Sequence, residues 1–459
     1  MRRFWACLLF SLCAAAQASL PPPVLRALER AAIPPQAVAV VAWPVDGAAP
    51  TLRHRGDAPM NPASLMKLVT TFAALELLGP AHVWQTEALA ATPPENGVLA
   101  GDLFLRGSGD PKLTHERLWL LLRELRGRGL QEIRGDLVLD ASAFPSVAHD
   151  PAAFDGRPLR PYNVGPDALL FNFATVHLTL VPERGGVRVL AEPLPAGLEI
   201  DNRLRATDAR TCPADWRDRL TAQVSPQRIV LAGDYPRACN ERRWNLAGLP
   251  NGTLLAGAFV RLWRELGGSF SGGVRAGIAP ETAVPLARSE SPTLAEIVRD
   301  INKFSNNVMA WQVFLKVGGG ETATADRAIR SWLAAKGLNF PELVIDNGSG
   351  LSRSARLSAD SFARLLAAAW ASPVMPELVA SLPIAAIDGT TRKRFNANGF
   401  AGQAHLKTGS LEGVRAIAGY LLDRQGRRHI VVFIVNHANA SEAQPAFDAL
   451  LEWLWQGGF

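Results

Sequence analysis

Residues 38–43 form an unbroken apolar run of strand length, 44–49 carry turn formers, and 51–55 can return as the second arm of a hairpin. From Leu65 the apolar spacing lengthens: Leu65, Leu68, Val69, Phe72, Ala73 and Leu75 share one face. That spacing predicts a largely buried helix, capped by Asn61 or Ser64 and stopped at Gly79-Pro80. The same period predicts helices over 293–303, through Leu294, Ile297 and Val298, and over 306–316. Toward the C-terminus, 404–407 and 415–422 read as strands, Gln425-Gly426 turns the chain, and Ile430-Val-Val-Phe-Ile-Val435 is the strongest strand signal in the sequence. Strands at both ends with helices between them predict an α/β (α+β) sandwich, whose antiparallel sheet unites the two ends of the chain.

Between these blocks the pattern changes. Short strand-like runs occur at 102–106, 133–139, 175–181 and 187–190, with no fixed internal period. About 237 residues separate Lys67 from Ser305, far more than a loop between neighbouring helices needs. The expected organisation is a domain split into residues 19–81 and 285–459 by one or two β-rich accessory domains over 82–284, all preceded by residues 1–18.

Those first eighteen residues change the compartment. Arg2-Arg3, an apolar stretch over 4–16 too short to span a bilayer, and Ala16-Gln17-Ala18 read as a cleavable export signal, with the mature chain starting near Ser19. Neither Cys7 nor Cys13 has the preceding residues of a lipoprotein signal. Cys212 and Cys239 then lie in an oxidising compartment, where a disulfide is expected over the alternative of two free buried thiols. No later stretch is long and apolar enough for a transmembrane helix. Residues 447–455 are amphipathic, but Asp448 and Glu452 are acidic and no Lys/Arg face is present, so core packing is expected. With 459 residues, 48% hydrophobic and 20% charged, the chain has the composition of a globular protein, which excludes disordered and fibrous classes. The net charge of +6 comes with no Lys/Arg run, which argues against a nucleic-acid site.

Three short motifs carry the chemistry: Ser64-Leu65-Met66-Lys67, Ser305-Asn306-Asn307 and Lys407-Thr408-Gly409. Positions i and i+3 share a helix face, so the first places an ammonium beside a hydroxyl. Their order, with the segments 61–71, Gly107-Ser-Gly-Asp-Pro111, Asp346-Asn-Gly-Ser-Gly-Leu-Ser-Arg353 and 405–413, resembles the class C low-molecular-mass penicillin-binding proteins. These are D-alanyl-D-alanine carboxypeptidase/endopeptidases with a large insert between the first two motifs, and the likeness runs over nearly the whole mature chain.

The resemblance implies a serine transpeptidase/β-lactamase-like fold and a periplasmic serine-type D-Ala-D-Ala carboxypeptidase and DD-endopeptidase, working without a cofactor. Its substrate is the peptidoglycan stem peptide, and β-lactams are its covalent inhibitors. A serine hydroxyl is a weak nucleophile at neutral pH, and Lys67 serves as its base if burial and the nearby Lys407 lower its pKa. Ser305 relays the proton to the departing amine, and Asn307 holds the substrate amide. Lys407 and Thr408, in the motif closed by Gly409, bind the terminal carboxylate. Backbone N–H groups of Ser64 and Ser410 hold the oxyanion. Asp140 and Arg353 are expected to face a zwitterionic diaminopimelyl end, against the alternatives of a structural ion pair or two solvated charges. The eight histidines show no ligand spacing, so no metal is expected, and His405 is expected to be structural. No G-x-S-x-G elbow is present. Of the rival functions, a β-lactamase lacks an E-x-x-L-N segment here, and a silent peptidoglycan-binding scaffold is at odds with three intact motifs.

Overall fold

The computed structural model describes residues 20–47, 49–145, 149–395 and 399–458. The expected export signal, with Cys7 and Cys13, lies outside the described residues. Five antiparallel strands form the central sheet: β1 (Val38–Pro44), β2 (Leu52–His54), β3 (Ala404–Leu411), β4 (Val414–Leu422) and β5 (Arg428–Asn436), in spatial order β3-β4-β5-β1-β2. β1 pairs with β5 from Val38 opposite Val435 to Pro44 opposite His429. The two ends of the chain therefore meet inside one sheet, as expected.

The helices that cover this sheet are α1 (Pro22–Arg30), α2 (Met66–Leu78), α3 (Leu294–Phe304), α4 (Asn307–Val317), α5 (Thr322–Ala335), α6 (Ala359–Trp370) and α7 (Gln444–Trp455). Side chains alternate along a strand, and both faces of β5 are buried. Ile430, Val432 and Ile434 pack with α2 to α6 on one side, and Val431, Phe433 and Val435 with α1 and α7 on the other. Burial on both sides is why β5 reads as a continuous apolar run. α7 packs into the core: Phe447, Leu450, Leu451 and Leu454 are buried, and Phe447 meets Phe433 edge-on at 4.7 Å. Each such side chain contributes about 1.5–3 kcal/mol by leaving water.

α2 starts later than its apolar period suggested, after a tight turn at Ala63–Leu65, and stops at Gly79 with φ 84°. α3 opens on a capping box in which Thr293 and Glu296 satisfy each other's backbone N–H groups. It ends at Ser305, and Asn306 caps α4 by accepting from the Met309 N–H.

The intervening residues build a second apolar core. A mixed sheet runs in the order Val274–Ala276, Leu137–Asp140, Leu103–Gly107, Gln85–Ala90, Val284–Glu290. Among the described residues, three three-stranded sheets accompany it, one from Val176–Glu183, Gly186–Glu192 and Arg242–Leu246, one from Glu199–Thr207, Leu220–Ser225 and Arg228–Pro236, and a short one from Val98–Leu99, Glu132–Ile133 and Ser269–Phe270. The strand expected over 133–139 is two, Glu132–Ile133 and Leu137–Asp140, separated around Gly135, where a Cβ would run into the backbone of Gly101. The helices His115–Gly127 and Asn251–Glu265 were not anticipated from the sequence. Cys212 and Cys239 are joined by a disulfide.

Candidate active site

Ser64 sits in the Ala63–Leu65 turn, one turn before Lys67 on α2. Neither expected residue caps the helix start, where Pro62 and Leu65 take the cap positions without a side-chain bond; Asn61 instead holds the chain just ahead of it, its Oδ1 accepting from the Ala63 N–H at 2.9 Å and its amide donating to the Ser352 carbonyl. The Ser64 hydroxyl therefore has no structural duty at the helix start. Its neighbour is Lys67 Nζ, which donates to Ser64 Oγ at 3.0 Å, to Asn307 Oδ1 at 2.7 Å and to the Ser349 carbonyl at 2.6 Å. Lys67 is fully buried, and desolvation, followed by the charge of Lys407, holds its pKa well below the usual lysine range.

The second motif arrives from the α3–α4 junction. Ser305 adopts φ 56°, a left-handed conformation that a side-chain-bearing residue takes only at a cost. Ala63, preceding Ser64, is also left-handed at φ 48°. These two strained residues flank the two motif hydroxyls. Asn307 is engaged at both ends, accepting from Lys67 and donating to the Tyr162 carbonyl at 3.1 Å.

The third motif lies on β3, the edge strand of the sheet. A Cβ at Gly409 would stand 2.7 Å from the Pro62 carbonyl oxygen, so only glycine lets the strand lie against the serine turn. Lys407 is fully buried and donates to Ser305 Oγ at 3.0 Å and to the Thr408 carbonyl at 2.8 Å. Burial, with Arg394 adding repulsion, pushes its pKa down to about 7. Thr408 Oγ1 shares a 2.7 Å hydrogen bond with Thr390.

The Asp346–Arg353 segment acts through its backbone. Ser349 holds Lys67, and the Gly348 carbonyl accepts from Thr70 Oγ1 at 2.7 Å. Gly350, at φ 76°, passes so close to the Ala63 carbonyl that no side chain fits.

A cleft of about 550 Å³ collects Ser64, Ser305, Asn307, Arg353 and Ser410. Asp140 is not among its lining residues. It is buried at the end of an inserted strand, where its carboxylate accepts the N–H groups of Ser142 at 3.0 Å and Ala279 at 2.9 Å. The expected partnership of Asp140 with Arg353 is therefore corrected: the Asp140 carboxylate is consumed by backbone donors. Arg353 does reach the cleft, half exposed, with its guanidinium 4.5 Å from the Phe154 ring and 3.4 Å from Glu412. Among the described residues two acids line the cleft, Glu412 in contact with Arg353 and Asp155, which is held by Tyr162 Oη at 2.7 Å and Asn163 Nδ2 at 2.8 Å. Phe154, Asp155, Tyr162 and Thr390 had no motif to announce them, and Ser349, although inside the 346–353 segment, was not singled out. His405 Nδ1 lies 3.3 Å from the Val379 carbonyl, away from the serine. Among the described residues no group of three or more His, Cys, Asp or Glu is placed to hold a metal, and no helix is long and apolar enough to cross a membrane.

Residues 24–456 match the family model described as the D-Ala-D-Ala carboxypeptidase 3 (S13) family. The chain is 30% identical over 416 residues to a D-alanyl-D-alanine carboxypeptidase of Actinomadura sp. (strain R39), covering 84% of this chain and 75% of that one. The crystal structure of penicillin binding protein 4 (dacB) of Haemophilus influenzae aligns with a TM-score of 0.78 at 24% identity, over 94% of this chain and 99% of that one. A second structure of it is complexed with a β-lactam. A predatory peptidoglycan endopeptidase of Bdellovibrio bacteriovorus aligns with a TM-score of 0.55 at 17% identity, over 92% of each chain. These structural likenesses show the serine transpeptidase/β-lactamase-like fold.

Proposed function

The chain belongs to the D-Ala-D-Ala carboxypeptidase 3 (S13) family, and on that premise we propose which residues carry out its serine peptidase chemistry. Ser64 attacks the carbonyl of the last D-Ala-D-Ala bond of a peptidoglycan stem peptide. The observation that carries this assignment is the 3.0 Å contact of Ser64 Oγ with a buried Lys67 of lowered pKa.

A neutral lysine amine has two N–H groups and one lone pair. Asn307 Oδ1 and the Ser349 carbonyl take the two hydrogens, which directs the lone pair at the Ser64 hydroxyl. Lys67 then removes the proton as the Ser64 Oγ–C bond forms. Backbone N–H groups of Ser64 and Ser410 hold the developing oxyanion. The C–N bond breaks as the proton reaches the departing amine through Ser305. Lys407 and Thr408 bind the terminal carboxylate, and Thr390 orients the Thr408 hydroxyl. Asn307 bears on the substrate amide as well as on Lys67. Water releases the acyl group and restores Ser64.

The same steps cut a D-Ala–diaminopimelate cross-link, which makes the enzyme an endopeptidase as well. Arg353, with Asp155 in place of Asp140, faces the charged end of the diaminopimelyl side chain. β-Lactams, which mimic the dipeptide terminus, acylate Ser64. The site of action is the periplasm.

Purified protein incubated with labelled penicillin is expected to carry a covalent label and to release D-Ala from a pentapeptide, and Ser64→Ala to do neither. Retained labelling in that variant would refute the nucleophile assignment.

A further inference from the structure

Beyond Ser305 a second cavity, of about 660 Å³, lies between the α3–α4 junction and the inserted strands. It shares Tyr162, Ser305 and Asn307 with the cleft that holds Ser64. Its far wall is basic, formed by Arg160, Arg217 and Arg243 with Trp244, and no carboxylate lines it.

The three guanidinium groups are poorly compensated. Arg160 has one carboxylate, Asp218 at 3.2 Å, itself exposed. Arg217 donates to the Arg243 backbone carbonyl at 3.1 Å and stacks 5.0 Å from Trp216. Partial burial and the charges of Arg160 and Arg242 hold the Arg217 pKa below its ordinary value. Among the described residues, the Arg243 guanidinium has no ion-pair partner. Among the described residues Asp218 is the one carboxylate acting on both Arg160 and Arg217, which leaves three guanidinium groups to one acid; the surplus cations repel one another, and a bound anion relieves the repulsion. Phe304, immediately before Ser305, is 64% exposed at the mouth and offers an apolar surface beside the charges.

We propose that this cavity binds the leaving half of a cross-linked substrate, a second stem peptide whose carboxylates meet Arg217 and Arg243. The inference deepens the proposed function and rests on it. The departing amine must pass Ser305 to receive its proton, and the cavity opens behind Ser305. When D-Ala alone leaves, it carries a single carboxylate, already taken by Lys407 and Thr408. When a cross-link is cut, the amine leaves on a diaminopimelyl residue with its own carboxylate and the rest of an acidic stem. A cavity in the ordinary size range for ligands accepts that peptide and is far too large for one alanine. Arg217 and Arg243 are therefore specificity residues for cross-link hydrolysis and are idle in carboxypeptidase turnover.

The test compares the wild type with an Arg217→Gln/Arg243→Gln double variant and with Arg243→Lys on three reactions: a cross-linked muropeptide dimer, a monomeric pentapeptide and labelled penicillin. The double variant is expected to lose about tenfold or more in kcat/KM on the dimer, carried mainly by KM. Its pentapeptide and penicillin rates should stay within about twofold of wild type. Arg243→Lys should retain most of the dimer rate. Added salt should slow the wild type on the dimer more than the double variant. Equal losses on dimer and pentapeptide, or no loss on the dimer, would overturn the inference. So would a wild type that trims pentapeptides but leaves dimers intact, an outcome that spares the Ser64 assignment. Failure of wild type to react with penicillin or pentapeptide would instead remove the proposed function itself.

Discussion

Gly350→Ala tests whether the glycine-rich loop serves catalysis by aiming Lys67. At φ 76° an alanine there costs about 1–2 kcal/mol from backbone strain alone. Its Cβ would also stand 2.6 Å from the Ala63 carbonyl carbon and nearer still to that carbonyl's oxygen, so it lies at least about 0.8 Å inside the 3.4 Å at which ordinary contact begins. The serine turn has no room to retreat, because Gly409 of β3 already lies against Pro62 on another side. The loop must move instead. If at least that 0.8 Å is taken up along the Ser349 carbonyl, its distance to Lys67 Nζ grows from 2.6 Å to about 3.4 Å or more, past the roughly 2.7–3.2 Å of a good hydrogen bond. Lys67 then loses one of the acceptors that fix its lone pair, and acylation should slow by roughly 10- to 100-fold. The assay is the second-order rate of labelling by penicillin, read beside thermal unfolding. Gly79→Ala is the control: its φ is 84°, and a Cβ there meets nothing within 4 Å. It should lose comparable stability yet acylate within about twofold of wild type. Wild-type labelling by Gly350→Ala, or equal slowing of both variants, would refute the reasoning.

Three further outcomes follow from the charges and the disulfide. With Lys407 near 7 in the free enzyme, and charged Lys407 holding the substrate carboxylate, kcat/KM for D-Ala release should fall as pH rises above about 7. Arg394→Gln removes a neighbouring cation and should move that limb to higher pH; a limb that does not move refutes the coupling. Because the folded pKa lies below the ordinary 10.5, the unfolded chain binds more protons between about 7 and 10.5, so the Lys407 contribution makes stability rise with pH across that window. Lys407→Met should flatten that rise in pH-dependent melting. Replacing Cys212 and Cys239 together by serine should cost about 3 kcal/mol in denaturant unfolding, from the 27-residue separation they bridge. Penicillin labelling should be unchanged, since that pair lies in the second core, and an unaltered unfolding midpoint would count against the estimate.

What could be read from the chain beforehand has a pattern. β1, β4, β5, α3 and α4 were legible because each is long and either doubly buried or strongly periodic, so local spacing reports tertiary burial directly. β3 runs four residues further than the 404–407 expected, since Gly409 and Ser410 carry no strand signal and are extended by pairing with Ala416 and Arg415. The helix His115–Gly127 has Leu118, Leu121, Leu122 and Leu125 at helical spacing, a signal that was present but lost among short strand runs. The catalytic motifs were visible as side chains. Ser349 was not, because it contributes a carbonyl, and any residue type has one. Asp140 illustrates the opposite error: an acid in the right region whose carboxylate the local fold occupies with the N–H groups of Ser142 and Ala279. Asp155 stands in the cleft instead, placed there by Tyr162 and Asn163, a tertiary arrangement with no linear signature.

The pairing of β1 with β5 also governs when the centre can exist. β2 pairs with β1 locally, but on its other edge Val38 meets Val435, so the strand that carries the chain toward Ser64 and Lys67 is completed only by a strand almost four hundred residues later. Such pairings close a very long loop, and proteins built on them fold slowly. A chain made from its N-terminus holds its nucleophile and base throughout synthesis, but Lys407 and the edge of β3 come last. The complete centre therefore cannot form until β3 has been made, and a chain cut short before it carries Ser64 and Lys67 without the Lys407 and Thr408 that would hold a substrate carboxylate.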